Sequence, residues 1–223
     1  MQKFSMILLV IFSIIVSCTQ EKQKAKSAQE QNMENYKKEK GDHVLHSEEL
    51  KVLSPEEKQQ YINEAKEIAR TAFKIFSSHL NKYFTKHDPV KAIEYCNKNA
   101  ISITDSLSQA HGVKIKRTSF RIRNPENKPT EQEEKVMEIY KERIHKNLKP
   151  EPYMHYDEDG YPHVYLPIMV QEKCLMCHGD PNKDIPQEIN QKLAELYPND
   201  KAIFFKKGDL RGIWSIRFPK KMK

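Results

Sequence analysis

The chain has 223 residues and carries 38 Lys/Arg against 31 Asp/Glu, a formal net charge of +7. Between Asp200 and Lys223 eight Lys/Arg stand against two Asp, so a local +6 holds most of the excess at the C-terminal end. Such a patch suits an acidic protein partner or lipid headgroups, but by itself it excludes little.

The N-terminus begins with Lys3 and a nearly unbroken apolar run from Phe4 to Val16. That run is short for a bilayer span and reads as the core of a signal peptide over residues 1–17. It stops at Ser17-Cys18, a small residue before a cysteine, which resembles a bacterial lipobox and marks Cys18 for lipidation. Export also removes nucleic acid as a partner. From Cys18 to residue 52 the sequence is polar and charge-balanced with almost nothing to bury, so it reads as a tether. The folded unit is expected over 53–223, about 170 residues, enough for one core.

Ser54-Pro55-Glu56-Glu57 is a capping box with proline at the first helical position. Behind it Ile62, Ala65, Ile68, Ala72, Phe76, Leu80 and Phe84 recur at helical spacing to about Lys86. Asp88-Pro89 opens a second helix with Ile93, Cys96, Ala100, Ile103 and Leu107 on one face, closed at His111-Gly112. The alternation from Val113 to Ile122 predicts a strand, and residues 124–129 a loop. Thr130 to Glu133 repeats the capping box and starts a third helix through Ile144.

A hairpin is expected next, with arms 153–156 and 161–170 about a turn at 157–160. Pro162 and Pro167 would confine its second arm to an edge or force an irregular path. A short helix near 186–196 and a last strand at 212–218, entered by a tight turn at 208–212, complete an α+β pattern.

Cys174-Leu175-Met176-Cys177-His178 carries the chemistry. Two thiols at this spacing reach the two vinyl groups of one porphyrin, and the adjacent histidine reaches the iron; the pattern reads as attachment of one c-type haem. A thioredoxin-like site would open a helix after a parallel strand, and zinc would want a second Cys/His pair; neither context is present. With Cys18 lipidated and Cys174 and Cys177 on haem, only Cys96 remains, so no disulfide forms within the chain. The residues open the second axial position to Cys96, Met154, Met169, His155 or His163. Arg117, Arg121 and Arg123 share one face if the strand runs on to Ile122, where they would meet the haem propionates, Arg123 first.

Several stretches in order add to this: Ala92-Ile93-x-x-Cys96-x-x-x-Ala100, Arg117-Thr118-Ser119-x-x-x-Arg123-Asn124-Pro125-x-Asn127-x-Pro129 and Tyr165-x-Pro167-Ile168. They continue as Cys174-Leu175-x-Cys177-His178-Gly179-x-Pro181, Tyr197-Pro198-x-Asp200-x-Ala202 and Gly208-Asp209-x-Arg211-Gly212. On these marks residues 60–218 resemble a family of single-haem c-type domains, catalogued as a domain of unknown function, which also forms the extracytoplasmic sensing part of some signalling proteins. The resemblance implies a PAS-like antiparallel sheet with two long N-terminal helices and a CxxCH attachment loop. It also implies iron held by His178 and Cys96. Ile101 stands where the family tends to have proline, and Phe204 where glycine is usual.

The expected function is a membrane-anchored cytochrome-like protein in electron transfer, with a redox or gas sensor signalling through a partner protein second and a haem enzyme a distant third. The expected setting is the bacterial cell envelope, lipid-anchored and facing the periplasm, with the outer membrane preferred because Thr19 is not an aspartate retention signal. Redox partner proteins, acidic ones fitting best, are the expected company.

Overall fold

The computed structural model describes residues 53–220. The expected signal peptide, Cys18 and the tether lie outside them. Among the described residues no helix is long and apolar enough to cross a membrane.

Helix α1 spans Pro55–Thr85 and starts where the capping box places it. Ser54 Oγ accepts from the Glu57 amide (3.2 Å) and the Glu57 carboxylate accepts from the Ser54 amide (3.0 Å). Its buried stripe is Tyr61, Ala65, Ile68, Ala69, Ala72 and Phe76. Helix α2, Pro89–His111, is capped by Asp88 and ends on Gly112 at φ 64°, a left-handed conformation that glycine adopts without a Cβ clash. Helix α3, Glu131–His145, repeats the capping box with Thr130 and Glu133.

Four antiparallel strands, β1 (Lys114–Thr118), β2 (Tyr153–Tyr156), β3 (Pro162–Met169) and β4 (Leu210–Arg217), form one sheet in the order β1-β4-β3-β2. Alternation along the strands sorts their side chains onto two faces. Val164, Leu166, Trp214 and Ile216 pack against the α1 stripe. Tyr165 and Ile213 point the other way, onto Val136, Met137 and Tyr140 of α3. Helices therefore cover both faces, and each fully buried Ile or Val at this core, such as Ile68, Val164 and Ile216, stabilises by roughly 1.5–3 kcal/mol.

Three sequence expectations change. The first strand stops at Thr118 rather than Ile122. There Thr118 Oγ1 donates to the Asn127 carbonyl (2.7 Å), and Ser119 Oγ accepts from the Arg121 amide (3.1 Å), a local bond that turns the chain out of the ladder. Arg121 and Arg123 therefore follow the strand, and alternation does not align them with Arg117.

The proline-bearing arm is central rather than at an edge, because β4 pairs with its other side. Pro162 is its first residue, and Pro167 lies beyond the end of β2, which pairs only with residues 162–165. The path is irregular all the same, with a register shift between Ile168 and Met169. Finally, β4 begins at Leu210, inside the stretch read as a turn. Gly212 is required in it, since a Cβ there would stand 2.1 Å from the Thr118 carbonyl oxygen of β1.

Candidate functional site

The Cys174–His178 motif follows β3 directly. A single 3-10 turn, Glu172–Cys174, runs into the one-turn helix α4, Leu175–His178. The chain leaves this turn through Gly179, where a Cβ would stand 2.5 Å from Asp184 Cβ and 2.7 Å from the Leu175 carbonyl oxygen.

The motif is held by a segment about twenty-five residues downstream, which follows helix α5 (Gln187–Leu196). The amides of Phe205 and Phe204 donate to the carbonyls of His178 (2.9 Å) and Gly179 (2.8 Å). The third carbonyl, of Cys177, accepts from Arg123 Nη2 at 2.6 Å. Arg123 in turn is fixed by Asp200, whose Oδ2 accepts from Nε at 2.9 Å while its Oδ1 accepts from the Ala202 amide at 2.7 Å. Arg123 and Asp200 are largely buried, so this ion pair is shielded from solvent. The arginine expected to meet haem propionates is thus engaged with the protein.

His178 Nδ1 lies 2.7 Å from the Ala202 carbonyl oxygen. A carbonyl only accepts, so Nδ1 carries the proton and Nε2 keeps a free lone pair. Burial pushes the His178 pKa well below its ordinary value, helped by the positive charges of Arg211 and Arg123. The imidazole is therefore neutral, the form that binds a metal. Its ring meets Phe205 edge-on at 6.2 Å.

The two motif thiols face different surroundings, and among the described residues no cysteine is in a disulfide. Cys174 packs against Val170, Ala202 and Phe205. Cys177 packs against Ile93 of α2 and Ile185, Ile189 and Leu193, and burial pushes its pKa up to about 11. Cys96 comes to the same place from α2. Burial raises its pKa, the charges of Arg117 and Arg123 oppose this, and the charge of Cys96 acts on Cys177.

The two histidine candidates lie elsewhere. His155 and His163 face each other across β2 and β3 on the α3 side of the sheet, away from Arg117 and Trp214. The ring nitrogens of His163 are bonded to Ser215 Oγ (2.8 Å) and the Tyr165 hydroxyl (3.3 Å). Met154 packs against the α1 core, and Met169 ends β3 half-buried.

Four guanidiniums crowd this region. Arg117 lies over Phe76 at 4.1 Å and Trp214 at 5.6 Å. Arg121 covers Phe205 at 3.6 Å and donates to the Ile203 carbonyl at 3.0 Å. Arg211, which the sequence reading left inside a turn, is the residue that reading missed. Its Nη1 donates to the Arg121 carbonyl (3.2 Å), and burial, with Arg123 and Arg117 nearby, pulls its pKa down to about 9. Only its place in the Gly208-Asp209-x-Arg211-Gly212 stretch marked it.

Among curated proteins no relative matches. The crystal structure of the cyanobacterial haem-protein Tll0287 superimposes with a TM-score of 0.52 at 22% identity, covering 77% of this chain and 99% of that one. At that identity the likeness is one of fold: helices with a four-stranded antiparallel sheet in an α+β arrangement. The Tll0287-like family model matches residues 56–219, three-quarters of the sequence and nearly all of the described part, and the chain belongs to that family.

Proposed function

We propose that this chain is a monohaem, c-type cytochrome-like protein of the bacterial cell envelope that works in electron transfer. The observation that carries the reading is the His178 imidazole, locked by the Ala202 carbonyl with Nε2 unprotonated, beside two unpaired thiols in a Cys-x-x-Cys-His turn. Likeness of fold to a haem protein supports it.

The residues fit such a group. Cys174 and Cys177 would hold it covalently, His178 Nε2 would ligate the iron, and Cys96 would be the second ligand. Bound there, haem supplies a one-electron iron couple, which a thiolate ligand tunes toward the ferric state. The protein's part is to orient: Ala202 fixes the imidazole, Arg123 and Asp200 hold the turn, and Ile93, Ile189 and Leu193 keep water from Cys177.

A PAS-like sheet, the lipid on Cys18, the tether and the periplasmic, preferably outer-membrane, location belong to this same proposal. So does an acidic redox partner, for which exposed Lys173, Lys201, Lys206 and Lys207 beside the motif are the natural docking charges. A sensor is the second reading, and Cys96 favours it. A thiolate ligand is lost on reduction or protonation, which would open a site for carbon monoxide or nitric oxide.

The test is the visible spectrum of the reduced mature protein, made in cells that mature c-type haems, with and without carbon monoxide. A reduced spectrum unmoved by carbon monoxide supports electron transfer, and a shifted Soret band moves sensing first. No covalent haem band at all overturns the proposal. Acyl labelling that disappears in Cys18→Ser checks the anchor.

A further inference from the structure

We infer that Arg211, through its Nε–H, is the residue that takes a porphyrin propionate in this chain; the inference rests on the haem reading above. Arg211 Nε is buried and has no acceptor. Leaving such a donor unpaired forfeits its bond to water with nothing in exchange, so an acceptor is expected to arrive there. The side chain is otherwise well placed. Nη1 is tied to the Arg121 carbonyl, and the guanidinium lies 5.2 Å from the centre of Phe205, the ring that meets His178 edge-on.

Two of the competing arginines donate to the protein, and the third stacks on aromatic rings. Arg123 uses Nε and Nη2 on Asp200 and the Cys177 carbonyl. Arg121 donates to Ile203 and covers the Phe205 ring. Arg117 lies on the rings of Phe76 and Trp214. The charge balance points the same way. Arg211 stands close enough to Arg123 and Arg117 to be repelled by both, while the nearby Asp200 carboxylate is paired with Arg123, so positive charge is in surplus around Arg211. A neutral acceptor such as water would satisfy the Nε–H but leave that surplus. A propionate answers both the donor and the charge.

The experiment uses the haem-loaded, full-length protein and reads the propionate-bending band by resonance Raman spectroscopy, together with the midpoint potential. Arg211→Lys keeps a positive charge but deletes Nε–H, and is expected to move the band to lower frequency. Arg211→Gln is expected to move it similarly and also to make the potential more negative, since a cation near the iron favours the ferrous state. Arg123→Lys is expected to leave the band in place. A band unmoved in Arg211→Lys, or one that moves only in Arg123→Lys, overturns the assignment while the haem reading stands. Wild-type protein that acquires no covalent haem overturns both. Should Arg211→Gln fail to fold, the charge-conserving Arg211→Lys alone decides.

Discussion

His178 Nδ1–H donates a hydrogen bond to the Ala202 carbonyl across 2.7 Å, joining the end of the Cys-x-x-Cys-His turn to a segment 24 residues away. That bond sets which ring nitrogen is free, and a haem iron held by that nitrogen would take any second protein ligand from another element. Cys96 on α2 is the candidate. In the haem-loaded protein Cys96→Ala is expected to keep covalent haem through Cys174 and Cys177, to change the ferric spectrum, and to raise the midpoint potential as a thiolate is lost. An unaltered spectrum and potential would remove Cys96 as a ligand.

Asp200 serves two donors at once, Arg123 and the Ala202 amide. Asp200→Ala would strand a largely buried guanidinium and loosen the segment that positions His178. Breaking such a pair costs about 3–5 kcal/mol, and chemical denaturation should show a loss of that order. A loss below about 1 kcal/mol would mean that solvent or another acceptor replaces the carboxylate.

Phe204 sits at φ 62° and the residue is 54% exposed. A left-handed backbone costs an L-residue about 1–2 kcal/mol, and an exposed ring recovers little of that. Glycine adopts the conformation freely but loses more backbone entropy on folding. Phe204→Gly is therefore expected to stabilise by roughly 0.5–1 kcal/mol, seen as a rise of a few degrees in the melting temperature. A fall would show that the ring contributes contacts that exceed the strain.

Burial lowers the His163 pKa from 6.5 to about 4. The native protein thus refuses a proton that the unfolded chain accepts below pH 6.5. Stability from this group is complete above that pH and is lost as the pH falls toward 4, about 3 kcal/mol over the window. Denaturation curves between pH 4 and 7 should show this slope, and His163→Gln should flatten it.

What the sequence revealed and what it hid follow from the range of each interaction. Ser54, Asp88, Thr130 and Gly112 act on neighbours within a few residues, so the helix ends were legible before any fold was known. Alternation from Val113 to Ile122 extends past the end of the first strand, while the bond from Thr118 to Asn127 that ends it is not a pattern of alternation. The central place of β3 depends on β4, more than forty residues later, whose pairing no local signal announces. At the site, the motif and the Cys96 position were visible. The engagement of Arg123 by Asp200 and the burial of Arg211 were not, since each is decided by partners at long range. Phe204 was visible as a departure from the resembled family's glycine, and the positive φ explains that preference.

The three carbonyls of Cys177, His178 and Gly179 are filled by Arg123, Phe205 and Phe204. Two of these donors lie downstream of the motif. A chain made or threaded from its N-terminus therefore exposes both thiols before the segment that clamps them has emerged. At ordinary synthesis rates of about 5–20 residues per second, twenty-five residues amount to a delay of seconds at most. Once the clamp closes, Cys177 is half-buried against Ile93 and Ile189. Timing thus becomes part of the chemistry of this motif: folding narrows an access to the Cys177 thiol that the nascent chain leaves open.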